Sequence, residues 1–199
     1  MSKPTLAAWL KRETRLEHHR VDQHPVLKPL LKRELAIEEY ATALSALYAP
    51  VASLETALSS GLGAHGVNYP LTQREALLKA DILQLGRQVQ PVSHLPPLAT
   101  IESLVGTLYV LEGSRLGGAM IARHVRQVLE DQVLEDQVPL RFFAAAPLQT
   151  QEWAAFWVFA ENLCPPPSWP AVRESAQQAF AHFIQGLEAF VHANPTPKE

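Results

Sequence analysis

The sequence predicts an all-α fold, a single-domain multi-helix bundle of seven or eight helices over residues 1–199, on three observations. Apolar residues recur at three- and four-residue steps through most of the chain, the spacing that gathers one face of a helix. Strict apolar–polar alternation, the mark of a half-buried strand, is nearly missing. The stretches between the stripes are short and rich in proline and glycine, as connectors between antiparallel helices are.

Composition narrows the function classes. A chain of 199 residues, 47% hydrophobic and 19% charged, can bury one substantial core and is ordinary for a soluble globular protein. A net charge of −3, with no basic stripe carrying interleaved aromatics, argues against a nucleic-acid partner. The single cysteine, Cys164, excludes an intramolecular disulfide and a cysteine zinc site. No signal-peptide pattern opens the sequence, and no window approaches the ~18 apolar residues of a membrane span. The expectation is a cytoplasmic protein with no membrane partner, ending in a polar tail, HANPTPKE, without an anchor.

From Pro4, a favourable first-turn residue, a helix is expected through Leu6, Trp9, Leu10, Leu16 and Val21 to His24–Pro25, where proline stops it. A short segment, Val26 to Lys32, follows. Ala36 to Leu58 reads as a long amphipathic helix containing Tyr40, Leu44, Leu47, Tyr48, Val51 and Leu54, kinked or split at Pro50. SSGLGAHGVNYP, 59–70, reads as a glycine-rich loop. Thr72 is expected to cap a helix running to Leu85 and Gly86, with Glu75 completing a capping box. VQPVSHLPPLAT, 89–100, is a proline-rich connector into a helix from Ile101 to Arg126. A tandem VLEDQ, 128–132 and 133–137, has a period that matches neither helix nor heptad and reads as a locally duplicated, solvated segment. Two further helices, 148–163 and 169–192, flank CPPPSWP.

The helix from Ile101 carries Gly106, Gly113, Gly117 and Gly118 in its interior. Each glycine costs about 1 kcal/mol relative to alanine, so the last three alone cost roughly 3 kcal/mol. Gly113 and Gly117 share a face, with Gly118 beside them. Two readings are open: a seam where two helix backbones approach, or a flat ligand lying against bare backbone. A ligand site needs a polar or metal-binding partner opposite; a seam needs only another small residue.

The first helix offers His18 and His19 in tandem, with His24 following. No H-E-x-x-H is present, and Glu38, Glu39 and Glu55 lack the histidine that a di-iron bundle sets three residues on. A single histidine can still ligate a haem iron, because the porphyrin supplies the other four nitrogens. At 100° per residue, His18 and His19 fall roughly 130° to either side of the apolar face, so the wheel does not choose between them.

LKRETRLEHHRVD, 10–22, and LYVLEGSRLGGAMIARHV, 108–125, together resemble haem oxygenase, most closely the bacterial branch that includes the enzymes accompanying bacteriophytochromes. LAIEEYATALSALYAPVASLE and EALLKADILQLG sit where that branch has similar segments, and the resemblance covers about 5–190. It implies a biliverdin-producing enzyme that opens haem b, at once cofactor and substrate, at a meso carbon. Carbon monoxide and ferrous iron are the other products; O2 and electrons from an external donor, a ferredoxin, flavodoxin or reductase, are consumed. A bacteriophytochrome is an implied recipient of biliverdin. Aligned on Leu10, Lys11 and Thr14, the family's proximal iron ligand falls on His18. The distal glycines match Gly113, Gly117 and Gly118, and Tyr109 matches a tyrosine that reaches a haem propionate. Lys11 and Arg15 occupy positions of propionate-binding cations, although exposed charges on a helix need no ligand. Ser114 stands where animal members have an aspartate that holds water, so backbone carbonyls such as that of Gly113 would order it. Phe180 and Phe183 are candidates to close the pocket or to pack in the core, and His124 and His182 read as structural. Two rivals share the fold: a haem carrier with no activity, and a haem-free bundle whose glycines form a seam.

The register makes a prediction. His18→Ala abolishes the histidine-ligated haem spectrum and His19→Ala leaves it near normal, as checked by absorption spectra of the hemin complexes; the reverse pattern refutes the register.

Overall fold

The computed structural model describes residues 4–129, 138–145 and 147–195. Among these residues it has eight α-helices, two 3₁₀ turns and no strand. The helices are α1 (Leu6–Glu13), α2 (Arg15–Asp22), α3 (Ile37–Ala64), α4 (Glu75–Gln84), α5 (Ile101–Leu129), α6 (Arg141–Ala144), α7 (Thr150–Leu163) and α8 (Trp169–Ala193). The 3₁₀ turns are Lys28–Leu31 and Pro166–Ser168. Most of the VLEDQ repeat, 130–137, and the last four residues of the tail lie outside the described residues.

Helices α3 and α5 form the centre, and α8 packs along both. The contact between α5 and α8 needs Gly106: a Cβ there would lie 2.6 Å from the Val172 carbonyl oxygen and 2.7 Å from the Ala176 nitrogen. Helices α3 and α8 meet in the same way at Gly186, where a Cβ would lie 3.0 Å from Cδ of Pro50. The buried cluster runs from Leu6 and Leu10 through α3 and α5 to Leu187. No helix among the described residues is long and apolar enough to cross a membrane.

Four local expectations are corrected. The first helix is not continuous from Pro4 to His24: Thr5 caps it, its hydroxyl accepting from the Ala8 N–H, and it breaks at Thr14. There the Thr14 hydroxyl donates back to the Leu10 carbonyl at 2.9 Å, a competition with the backbone that bends helices. Pro50 does not split α3, which runs unbroken to Ala64 and takes in the first half of the expected glycine loop. Helix α3 ends instead at Gly66, φ +62, whose N–H and that of Val67 close a Schellman motif on Gly63 and Leu62. Thr72 does not cap α4. Glu55 of α3 does so, its two carboxylate oxygens accepting from the Arg74 and Glu75 N–H groups at 2.8 and 3.0 Å. That leaves the Glu75 carboxylate to accept from the Tyr48 hydroxyl. The C-terminal end at Gly86, φ +70, is as expected. Helix α6, not anticipated from sequence, is held by the buried Asp81, which accepts from the Phe142 N–H at 2.8 Å.

The glycines of α5 therefore differ in what alanine would meet. Gly106→Ala should cost roughly 1–3 kcal/mol or more by overpacking. Gly117→Ala, with nothing within 4 Å of its Cβ, should be neutral or stabilise by up to about 1 kcal/mol. Chemical denaturation of the two variants checks the contrast.

Candidate functional site

One hydrogen bond sets the geometry of the site. The Tyr109 hydroxyl of α5 lies 3.1 Å from the Thr14 hydroxyl at the break between α1 and α2. The Thr14 proton is given to the Leu10 carbonyl, so Tyr109 is the donor. One helical turn beyond Thr14 stands His18, and one turn beyond Tyr109 stands Gly113. Helix α2 packs on α8, as does α5, and the two make no comparable contact with each other. Phe180 of α8 lies between His18 and Tyr109. Its ring centroid is 5.9 Å from that of His18 and 6.4 Å from that of Tyr109.

On the α2 side, His18 Nδ1 is 2.9 Å from Oδ2 of Asp22, four residues on along the same helix. With Nδ1 donating to that carboxylate, Nε2 is left as the acceptor nitrogen of a neutral ring. The side chain is 59% exposed. His19 is exposed as well and makes no such tie. His18, four residues on from Thr14, falls on the same side as Thr14.

On the α5 side, Gly113, Leu116, Gly117 and Met120 share a face. Leu116 is 48% exposed and Met120 60%, so this stretch presents apolar side chains and bare backbone outward. Gly117 is open, and Gly113 has only the indole of Trp153 near it, 3.7 Å from a built Cβ. Gly118 does not belong to this face. It lies about 140° round the helix from Gly113, and a Cβ there would be 3.2 Å from the Phe143 carbonyl oxygen. The seam and the open face both exist, at different glycines.

Ser114 lies beside the face. Its hydroxyl donates to the Leu111 carbonyl at 2.6 Å and accepts from Nη2 of Arg74 at 2.7 Å. Arg74 is only 2% exposed, with its guanidinium 4.8 Å from the Phe142 ring centroid. Burial pushes its pKa down to about 10, against the pull of Glu55 and Glu112. Its Nε has no hydrogen-bond partner. Behind it, Glu112 and Arg115 form a buried ion pair.

The remaining expected residues fall in three groups. Lys11 and Arg15 are exposed and form no ion pair among the described residues. Phe180 and Phe183 are both buried, Phe180 beneath His18. The Tyr109 hydroxyl serves Thr14 and its ring packs among Trp153, Trp157 and Phe180. His124 and His182 have structural partners, the Lys32 carbonyl at 2.8 Å and the Ser53 hydroxyl at 2.6 Å. No group of three or more possible metal-binding side chains occurs among the described residues.

A family model described as heme oxygenase matches residues 4–189. The chain belongs to the heme oxygenase family. It is 29% identical over 167 residues to a heme oxygenase of Xanthomonas campestris pv. campestris (strain 8004), covering 82% of this chain and 98% of that one. Its fold is that of the NO- and CO-bound heme oxygenase from Neisseria meningitidis, with a TM-score of 0.73 and 22% identity, over 96% of this chain and 94% of the other. Heme oxygenase-1 from Synechocystis sp. PCC6803, in complex with heme, superposes with a TM-score of 0.68 at 18% identity, over 96% and 94% of the two chains. Family membership makes this chain an enzyme that handles haem.

Three residues that sequence reasoning did not single out lie beside the expected ones: Asp22 against His18, Arg74 against Ser114 and Trp153 near Gly113. Asp22 was legible in principle, as a carboxylate one turn from a histidine. Arg74 and Trp153 come from elsewhere in the chain, and no local pattern marks them. Ser114→Ala removes the best partner of a buried cation and should cost about 1–3 kcal/mol, read as a lowered denaturation midpoint.

Proposed function

We propose that haem is held between His18 on α2 and the Gly113–Gly117 face of α5 in the haem oxygenase reaction of this family. The observations that support the reading are His18, its Nδ1 held by Asp22, and an exposed, apolar, glycine-bearing stretch of α5, both on elements packed on α8. These residues fit the group: an imidazole for the iron, bare backbone for a flat ring, apolar side chains for its faces. Haem supplies the iron and the meso carbon at which the ring opens, with biliverdin, carbon monoxide and ferrous iron as products and O2 and electrons consumed.

Each residue then has a task. Asp22 fixes the tautomer of His18, orients its ring and raises its basicity, as carboxylates behind metal-binding histidines do. Neutral imidazole is the ligand available, since the Cys164 thiol is buried, with burial pushing it up to about 11. Gly117, and Gly113 beside Trp153, keep Cβ atoms away from the ring face, so that α5 can lie close over it and restrict which meso edge is attacked. Ser114 gives its proton to the Leu111 carbonyl and its lone pair to Arg74, so it does not donate to the substrate side. Ordering of water falls to backbone carbonyls such as that of Gly113, with Arg74 holding this part of α5 in place. Gly118 serves packing against Phe143. Lys11 and Arg15, at the exposed edge, offer cations to the propionates, and Phe180 and Phe183 support the ring from α8. Electrons come from a ferredoxin, a flavodoxin or a reductase, and biliverdin passes to a bacteriophytochrome, in the cytoplasm.

Incubating the hemin complex with a reductant under air tests this. The Soret band decays while bilin absorption grows, whereas a mere carrier keeps its Soret band. Asp22→Ala should weaken hemin binding about 10–100-fold, measured by Soret titration; unchanged binding contradicts the second-layer role. Gly117→Leu should lower hemin affinity or change the biliverdin isomer; retention of both counts against the glycine face.

A further inference from the structure

Helix α2 begins on a sequence that ordinarily caps itself. Thr14, Arg15, Leu16 and Glu17 have the T-x-x-E spacing of a capping box, in which threonine and glutamate serve each other's backbone N–H groups. Neither side chain does so here. Thr14 gives its hydroxyl proton to the Leu10 carbonyl and accepts from Tyr109, and no side chain caps α2. The Thr14 N–H is bonded to the Leu10 carbonyl, which frees the Glu17 carboxylate for a partner on another helix. That partner is Gln177 of α8, whose Nε2 donates to Oε1 of Glu17 at 2.9 Å. The other carboxylate oxygen is buried with no hydrogen-bond partner, so the contact is not the most stabilising use of the residue.

The bond is one rung of two, set on either side of the break at Thr14. Glu13 ends α1 and lies 3.8 Å from Nη1 of Arg173, whose guanidinium also stands 6.0 Å from the Trp9 ring centroid. Four residues on along both stretches, Glu17 in the first turn of α2 meets Gln177. With 13 against 173 and 17 against 177, the end of α1 and the start of α2 follow one face of α8 in one register. The first rung and the Thr14–Tyr109 bond hold the point where α2 starts. The second rung holds the direction in which it leaves, and the residue after Glu17 is His18. Helix α2 buries no residue of its own, so apolar packing adds little to that direction.

We propose that Glu17 and Gln177 are positioning residues for His18. Their hydrogen bond sets the angle of α2 past Thr14, and with it the place of the His18 imidazole relative to the open glycines of α5. The inference rests on His18 being the iron ligand proposed above. It also accounts for a capping pair that caps nothing: a local rule is given up where a distant contact has a use.

Two measurements on the full chain test this. In the haem-free protein, Gln177→Ala and Glu17→Ala should speed amide hydrogen exchange of residues 18–22 about 5–10-fold and leave α5 unchanged. In the ferrous haem-loaded protein, both should shift and broaden the iron–histidine stretching band of the resonance Raman spectrum. Glu17→Gln, which keeps an acceptor oxygen for Gln177, should restore the band and the exchange rates. Arg173→Ala removes the rung on α1 and should lower the unfolding midpoint without moving the band. Unchanged exchange in α2 overturns the latch. Faster exchange with an unmoved band makes the bond a fastening only and overturns the positioning role, as does a band that Arg173→Ala moves equally. An iron–histidine band that survives His18→Ala overturns the ligand assignment and this inference with it, a failure told apart by the haem-free exchange.

Discussion

The hydrogen bond between Thr14 and Tyr109 is the constraint on which the site depends. It joins the start of the chain to the middle of α5, at the residue where the first helical run is interrupted. Past the break α2 packs on α8, as α5 does, and the cleft proposed for haem lies between α2 and α5. The first turn past the joint on either side carries the imidazole and the first open glycine. A continuous first helix would have put His18 and His19 at equivalent angles to the core.

Around that cleft the chain uses small residues for two opposite purposes. Gly106 lets α8 approach within a distance no Cβ allows, and Gly118 and Gly186 leave room for contacts tighter than side chains ordinarily make. Gly117 and, apart from one indole edge, Gly113 have no protein against them. A rigid helix with an open stretch is what a flat substrate needs, since close approach is useful only if the surface does not give way. Behind this stretch a buried guanidinium, Arg74, ties α4, α5 and α6 together through Leu111, Ser114 and the Phe142 ring. Such a buried cation makes the segment specific rather than merely stable, because each of its partners must be in place for the charge to be tolerated.

Much of the architecture was legible from sequence because it rests on local signals. The apolar periodicity of α3, α5, α7 and α8, the proline-rich connector before α5 and the glycine ending α4 all follow from short-range chemistry. What was not legible came from distant partners. The Thr14 break depends on Tyr109, far along the chain, and the cap of α4 comes from Glu55 on another helix in place of the nearby Thr72. Pro50 reads locally as a breaker, yet α3 continues through it with Gly186 of α8 lying against its ring. The site shows the same division. His18 and the glycines of α5 were named from motif register, whereas Arg74 and Trp153 are brought in by tertiary packing. Gly118, adjacent in sequence to Gly117, points to the opposite side, a distinction that needs the helix in place.

Helix α2 has no buried residue of its own. Beyond the ring contact of His18 with Phe180, Glu17 ties it to the body by accepting a bond from Gln177. An eight-residue arm so lightly fastened, jointed at Thr14 and bearing the His18–Asp22 pair as a self-contained unit, can swing without disturbing the core. The reaction converts a stiff planar disc into an open, twisted strand, which no fixed slot fits equally well.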